Sequence, residues 1–266
     1  MKNGFAEINN TKIYYEIDGQ GFPLVLVHAG IADCRMWNDQ FSVFAKQYQT
    51  IRYDRRGFGQ TKMVAGDFSH HDDLYELLKF LDIKQAILLG CSQGSKTIID
   101  FTLEHPEMTK ALILTAPALS GFIYDGEPPK QAEQLDQAEE SGDLNLVNEL
   151  EIQIWVDGPQ RRPEQVNPKV RELALDMNRI ALQTPEDLGN EIPLEPAAAN
   201  RLSEIKVPTL VVVGDLDTPS TLACADFLGE NIPNAKKVIM NGVAHLPNME
   251  QPEEFNQIVL SFLKQV

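Results

Sequence analysis

The sequence predicts an α/β fold in which helices cover both faces of a mostly parallel sheet. Two observations predict it. Short apolar runs recur along the chain, as expected of strands that are covered on both sides, and segments with apolar residues at helical spacing lie between them. The 266 residues suit one α/β domain that carries an insertion.

The elements follow in chain order. A hairpin around Asn9-Asn10 joins the first two strands, because this dipeptide is typical of tight turns. The expected strands are Phe5–Ile8, Thr11–Ile17, Pro23–His28, Tyr48–Tyr53, Ala86–Leu89, Met108–Thr115, Val207–Gly214 and Lys237–Met240. The expected helices are Met36–Ala45, a helix around Leu74–Leu81, one that ends near Glu104, and Pro252–Lys264.

The pattern changes after Pro117. From there to about Asn200 the sequence indicates no strand, and the chain is helical, acidic and interrupted by prolines. We therefore expect a core domain made of residues 1–118 and 201–266 and a helical lid made of residues 119–200. Apolar residues at helical spacing in this lid could face the pocket: Leu146, Leu150, Ile154 and Trp155.

Composition excludes several classes of partner. Acidic residues outnumber basic residues by 39 to 23, and the formal net charge is −16. This charge argues against nucleic acid and anionic membranes as partners. The three cysteines are widely spaced, as in a reducing compartment, and the N-terminal stretch lacks an apolar leader. We expect a cytoplasmic protein that acts on a small molecule, and the sequence does not indicate its oligomeric state.

The segment Gly90-Cys91-Ser92-Gln93-Gly94 lies between an apolar strand and a helix. Gly-x-Ser-x-Gly in this context is the nucleophile elbow. A serine held at a strained point between strand and helix needs small neighbours, since a Cβ there would collide with the backbone. The helix N-terminus favours negative charge. Ser92 is the predicted nucleophile.

Serine needs a base that is itself oriented by a third group. Of the five histidines, His245 lies in a loop between the last strand and the last helix, where a base is expected. Asp215 and Asp217 follow the Val207–Gly214 strand, and one of them should orient the histidine while the other serves the turn. Serine, acid and histidine then follow the chain order of one particular fold.

Nothing in the sequence indicates a metal or another cofactor. The adjacent His70 and His71 point about 100° apart on a helix, so they do not form a pair of ligands on one face. We expect neither a metal nor a cofactor.

Five motifs in the correct order resemble those of the α/β-hydrolase fold superfamily. They are His28-Ala29-Gly30, Asp54–Gly59, Gly90–Gly94, Gly214–Asp217 and Gly242–His245. The resemblance implies an eight-stranded sheet and an inserted helical lid. Within the superfamily the chain is similar to the small capped group of 3-oxoadipate enol-lactonases, haloperoxidase-like esterases and carbon–carbon bond hydrolases.

The resemblance also assigns residues. It implies that Asp217 is the acid and that the backbone N–H groups of Gln93 and Gly30 form the oxyanion hole. Because Ala29 stands where the family usually has glycine, Ile31 is the alternative to Gly30 as donor.

The expected function is therefore hydrolysis of an ester or lactone by a serine hydrolase. The alternatives are a carbon–carbon bond hydrolase or perhydrolase with the same triad, and a hydrolase-fold receptor for a small ligand. Dehalogenases and epoxide hydrolases of this fold carry Asp at the position of Ser92. Trp37 and Trp155 could line an acyl pocket, although their helical spacing fits core packing equally well, and Arg161-Arg162 is a cluster that could guide an anion.

Overall fold

The computed structural model describes residues 1–185 and 188–266. Eight of its strands form one sheet in the order β1-β2-β4-β3-β6-β7-β9-β10, and β5 pairs with β8 in a separate small sheet. The strands are β1 (Lys2–Ile8), β2 (Thr11–Asp18), β3 (Pro23–Val27), β4 (Gln49–Tyr53), β5 (Gly66–Phe68), β6 (Ala86–Cys91), β7 (Thr109–Thr115), β8 (Gly189–Glu191), β9 (Thr209–Gly214) and β10 (Lys236–Met240).

Helices connect most of the strands. They are α1 (Asn38–Phe44), α2 (His70–Phe80), α3 (Gln93–Glu104), α4 (Ala132–Ser141), α5 (Leu144–Ile152), α6 (Pro168–Leu182), α7 (Pro219–Asn231), α8 (Pro247–Glu250) and α9 (Pro252–Leu263). A π-helical turn, Gln153–Asp157, continues α5, and short 3₁₀ turns lie between other elements.

The sheet is mostly parallel, as predicted. Its first two strands form the expected hairpin, and Asn9 and Asn10 adopt φ of 44° and 60°. Positive φ at both central residues is the conformation of a tight hairpin turn, which asparagine tolerates. β2 pairs with β4 antiparallel, and the remaining neighbours in the large sheet are parallel.

Helices bury both faces of the sheet. Along β3, Leu24 and Leu26 join one apolar cluster while Val25 and Val27 join the other. Successive side chains of a strand point to opposite faces, so a strand that is apolar at every position packs against both layers. The continuous apolar runs of the sequence are explained by this arrangement.

The parallel strands bring the predicted site residues to one edge of the sheet. β3, β6, β9 and β10 end at Val27, Cys91, Gly214 and Met240 respectively. The carboxyl ends of parallel strands share an edge, and ligands of α/β sheets bind there. The loops that carry Gly30, Ser92, Asp217 and His245 therefore converge.

The segment between β7 and β9 differs from the sheet in its structure. Its α4, α5 and α6 pack around a small apolar cluster of Ala138, Val147 and Leu150. The expectation of no strand was wrong, because β8 pairs in parallel with β5. The helices α7 and α8 were not predicted.

Within residues 1–185 and 188–266, the structure contains no helix that is long and apolar enough to cross a membrane.

Candidate active site

Ser92 occupies the sharp turn between β6 and α3. Its φ is 53° and its ψ is −118°, a strained conformation for a residue with a side chain. A Cβ at Gly90 would lie 2.4 Å from the Gly94 carbonyl oxygen, and one at Gly94 would lie 2.2 Å from the Val27 carbonyl oxygen. Close backbone approach therefore requires both glycines of the predicted elbow.

His245 and Asp217 form a buried pair. His245 Nδ1 lies 3.0 and 2.9 Å from the two Oδ atoms of Asp217. The histidine is 3% exposed and the aspartate 1% exposed. A carboxylate only accepts, so Nδ1 donates and Nε2 is left to act on another group.

The structure separates the two candidate aspartates. Asp217 Oδ1 also accepts the Thr218 N–H at 2.7 Å, which fixes the carboxylate that faces His245. Asp215 instead accepts the Gly242 N–H at 2.6 Å. It joins the loop after β9 to the loop after β10, which is a turn role.

Ser92 and His245 line one cavity of about 220 Å³. Apolar side chains form most of its wall. The complete lining is Ser92, Pro117, Ala118, Leu119, Phe122, Tyr124, Trp155, Ser220, Thr221, Cys224 and His245. A second cavity of about 450 Å³ shares Tyr124 and Ser220 with the first, and it also touches Ile154 and Lys130.

The backbone N–H groups of Gly30, Ile31 and Gln93 have no acceptor among the described residues. Gln93 is the first residue of α3, where N–H groups lack helical partners. Gly30 and Ile31 follow β3 at the same edge of the sheet. All three N–H groups are thus free of acceptors in the described part of the chain, and Gly30 and Ile31 are both candidates for the second donor.

The two tryptophans have different environments. Trp155 lines the cavity, and its ring centroid lies 4.7 Å from that of His245. Trp37 does not line this cavity: it is 0% exposed and packs against Phe255 with ring centroids 6.3 Å apart, which fits the core-packing alternative. Its apolar neighbours belong to the core layer that contains α9.

Only part of the predicted apolar stripe faces the site. Leu150 packs within the cluster of the helical segment, and Leu146 packs against that cluster. Ile154 faces the second cavity and Trp155 the first. The π-helical turn changes the direction of the side chains after α5, which helical spacing alone does not predict.

Cys91 is a packed residue. Its side chain is fully buried, and its thiol donates to the His245 carbonyl oxygen at 3.6 Å. Burial raises the pKa of this thiol well above its ordinary value. The neutral thiol supports the histidine loop.

Arg161, one member of the pair that could guide an anion, makes its contacts within the protein. Its guanidinium donates to Glu250 at 2.5 Å and to the backbone carbonyls of Val156 and Asp157, each at 2.8 Å. Glu250 in turn accepts the Ala244 N–H at 2.7 Å. We call Arg161 and Glu250 the loop clamp, because they join the π-helical turn to the residue before His245. This pair joins residues 89 positions apart, and no local sequence pattern indicates it.

One group of three side chains has the composition of a metal site. Ligand atoms of Asp33, Cys34 and Asp54 lie within 4.8 Å of one another. However, Asp54 accepts the N–H groups of Cys34 and Gln60, both at 2.8 Å, and Asp33 binds Arg35. These carboxylates have the hydrogen-bonding partners of a structural turn, and the expected absence of a metal stays a prediction.

Comparison with known proteins places the chain in one family. Residues 24–258 match the family described as the alpha/beta hydrolase family. A pimeloyl-acyl-carrier-protein methyl ester esterase of Legionella pneumophila is 27% identical over 254 residues, which cover 95% of this chain and 99% of that protein. The 3-oxoadipate enol-lactonase 1 of Acinetobacter baylyi is 25% identical over 240 residues, with 88% and 85% covered.

Solved structures show the same fold. The enol-lactonase from Burkholderia xenovorans superposes with a TM-score of 0.79 at 24% identity, covering 98% of this chain and 99% of that one. An esterase from Exiguobacterium antarcticum gives a TM-score of 0.80 at 24% identity, with 99% and 100% covered.

Proposed function

Because this chain belongs to the alpha/beta hydrolase family, we propose that it is a serine hydrolase that cleaves an ester or lactone of a small, mostly apolar acid. One observation carries the proposal. His245 is held through Nδ1 by the buried Asp217 and shares a cavity with Ser92 at the nucleophile elbow. This is the set of groups that activates a serine hydroxyl.

In the proposed reaction, Ser92 Oγ attacks the substrate carbonyl carbon while His245 Nε2 takes the hydroxyl proton. The carbonyl oxygen becomes an oxyanion, which accepts the N–H groups of Gln93 and of Gly30 or Ile31. The C–O bond to the leaving group then breaks, and the imidazolium returns its proton to the departing alkoxide. Water then attacks the acyl-enzyme while His245 takes its proton, and the proton returns to Ser92 Oγ as the acid is released.

The cavities suggest the shape of the substrate. The chamber beside Ser92 holds about 220 Å³, which suits a short acyl group. The neighbouring chamber of about 450 Å³ touches the first at Tyr124 and Ser220, and it could accommodate a larger alcohol. The net charge of −16 disfavours the capture of anionic substrates.

We also propose that residues 119–200 form a lid over a core of residues 1–118 and 201–266. Tyr124 and Trp155 come from this segment and line the cavity of Ser92. A segment that leaves the carboxyl end of β7 is placed to cover the active site and to control substrate access.

The three cysteines are free and buried, which supports a cytoplasmic location.

A fluorophosphonate probe tests the nucleophile. We expect a single label on the peptide that contains Ser92, and loss of labelling and of aryl-ester hydrolysis in Ser92→Ala. The matched control is Ser95→Ala, because Ser95 is fully buried and donates to the Gly90 carbonyl instead. A label on another residue, or full turnover by Ser92→Ala, contradicts the proposal.

A screen of esters, lactones and 1,3-diketones then identifies the reaction. Multiple turnovers on an ester or lactone support the proposal, whereas turnover of the diketones alone supports a carbon–carbon bond hydrolase. Peracid formation from a short acid and hydrogen peroxide identifies a perhydrolase. A label at Ser92 without multiple turnover on any substrate favours a ligand receptor with a reactive serine.

A further inference from the structure

Arg55 is a buried cation with an unusual environment. Two nearby arginines, Arg52 and Arg56, are also buried, and each has an acidic partner: Arg52 binds Glu16 at 2.7 Å, and Arg56 binds Asp73 at 2.8 Å. Arg55 is 1% exposed and forms no ion pair with a carboxylate within residues 1–185 and 188–266, and the charge of Glu191 favours its cation only from beyond ion-pair distance. A buried charge without a counter-charge is unfavourable for folding.

The contacts of Arg55 point toward the elbow. Both terminal nitrogens donate to Gln93 Oε1 at 3.3 Å, and the guanidinium carbon lies 4.5 Å from the centre of the Phe58 ring. The buried Nε has no hydrogen-bond partner among the residues that the structure describes. Burial lowers the pKa of Arg55 to about 10, so the group is still a cation at neutral pH.

Gln93 directly follows the proposed nucleophile, and its side chain packs on the other oxyanion loop. A Cβ at Gly30 would lie 2.7 Å from Gln93 Cδ and Nε2. Gln93 Oε1, which accepts from the guanidinium, lies 3.0 Å from the same Cβ position, so the whole amide lies against Gly30. The Gln93 amide thus fills the space between Arg55 and the loop after β3.

The backbone of Arg55 holds the same loop. Its N–H donates to His28 Nε2 at 2.9 Å, and His28 Nδ1 lies 2.8 Å from the Ala29 carbonyl oxygen. Because Nε2 accepts, Nδ1 carries the proton and donates to Ala29. Arg55 is thereby connected to both segments that supply the proposed oxyanion donors.

We propose that Arg55 is a positioning residue of the oxyanion site. It orients the Gln93 amide against Gly30, and its unpaired positive charge lowers the energy of the oxyanion that forms beside Gln93. A fixed charge in a buried site acts more strongly than one in water and needs no reorganisation during the reaction. This inference rests on the proposed serine-hydrolase function.

The first test separates this role from simple support of the fold. Arg55→Met keeps an unbranched, flexible side chain and removes the guanidinium with its charge. We expect kcat for p-nitrophenyl acetate to fall by about tenfold or more, with little change in KM and an unchanged or higher melting temperature. Arg55→Lys should restore part of kcat, because it restores the charge. An unchanged kcat in Arg55→Met overturns the proposal. A lower kcat that comes with a lower melting temperature and is not restored by Arg55→Lys overturns it as well.

Gln93→Glu provides the second test. A carboxylate at this position would pair with Arg55, so we expect a higher melting temperature together with a kcat reduced by about tenfold or more, since the pair cancels the field at the oxyanion. Gln93→Met is the neutral control and should lose less kcat than Gln93→Glu. A Gln93→Glu protein that is both more stable and fully active contradicts the proposal, even if Arg55→Met fails to fold.

Labelling with the fluorophosphonate keeps the two hypotheses apart. If the unaltered protein is not labelled at Ser92, the proposed function fails. If it is labelled and Arg55→Met reacts at the same rate, only the role of Arg55 fails.

Discussion

The rings of Trp155 and His245 lie 4.7 Å apart, and the Trp155 carbonyl oxygen accepts the backbone N–H of His245 at 3.3 Å. One residue of the helical segment thus contacts the proposed base through both its side chain and its backbone. Loss of the indole removes part of the cavity wall, whereas the backbone contact does not depend on the side chain.

Trp155→Ala should enlarge the cavity beside Ser92. We expect KM for short acyl esters to rise and the preferred acyl chain to become longer, while the fluorophosphonate still labels Ser92. Michaelis constants over a series of p-nitrophenyl esters measure this. Trp37→Phe is the control, because Trp37 is a core residue and its change should lower the melting temperature without altering the acyl preference. An unchanged acyl profile in Trp155→Ala would show that its indole does not limit the pocket.

Asp217→Asn should lower kcat on the order of 10⁴-fold, because the histidine loses the partner that fixes its tautomer. Asp215→Asn removes the acceptor of the Gly242 N–H and should cost far less. Steady-state kinetics of the two variants on one ester give the comparison. Equal losses, or a larger loss in Asp215→Asn, would mean that Asp217 is not the acid.

Glu250→Gln should break the loop clamp. Arg161 and Glu250 have side chains that are 10% and 7% exposed, so removal of one charge leaves the other buried. We expect a loss of about 3–5 kcal/mol in the free energy of unfolding, by analogy with other buried pairs, and a lower kcat because the clamp holds the loop of His245. Urea denaturation measures the first effect and ester hydrolysis the second.

The matched control for the clamp is Glu204→Gln, whose ion pair with Arg201 is half exposed at the glutamate. The free energy of unfolding of Glu204→Gln should fall by less than about 1 kcal/mol. Similar losses in the two variants would contradict a structural role for the clamp.

Acid should destabilise the protein through two histidines. Burial lowers the pKa of His28 and His70 well below 6.5. Below about pH 6.5 the unfolded chain therefore binds more protons than the folded one, so the free energy of unfolding falls as the pH decreases, by up to about 1.4 kcal/mol per pH unit for each histidine. His70→Gln should have a shallower dependence between pH 7 and about 5.5.

Denaturation curves of both proteins over this range provide the measurement. Burial raises the pKa of Asp54 and Asp100, which gives the opposite slope at lower pH and is common to both proteins. Parallel pH dependences would show that His70 also titrates in the folded protein.

The elements that the sequence predicted well have local causes. The elbow depends on Gly90 and Gly94, because the Cβ of any other residue at these positions would collide with the neighbouring backbone. The hairpin depends on Asn9-Asn10. Such requirements act over a few residues, so they are visible in the sequence. The helix α7 was missed because its buried face contains Thr221, the small residues Cys224 and Ala225 and one large apolar residue, Leu228, so its helical spacing gives a weak apolar pattern.

The features that were missed depend on distant contacts. Arg55 and Arg56 are neighbours in sequence, yet Arg56 meets Asp73 while Arg55 meets Gln93. The direction of each side chain decides its partner, and no local pattern encodes it. The placement of Trp37 in the core and of Trp155 in the cavity has the same origin.

The pairing of β5 with β8 bears on how such enzymes could be recombined. The strand β5 (Gly66–Phe68) lies outside the large sheet. Among the described residues its only strand partner is β8 (Gly189–Glu191), which lies in the helical segment of residues 119–200. A chimaera that replaces residues 119–200 with the corresponding segment of a relative removes this partner and exposes a strand edge, which is a site for aggregation. A chimaera that exchanges substrate preference between relatives should therefore exchange residues 66–68 together with residues 119–200, because the two strands pair with each other.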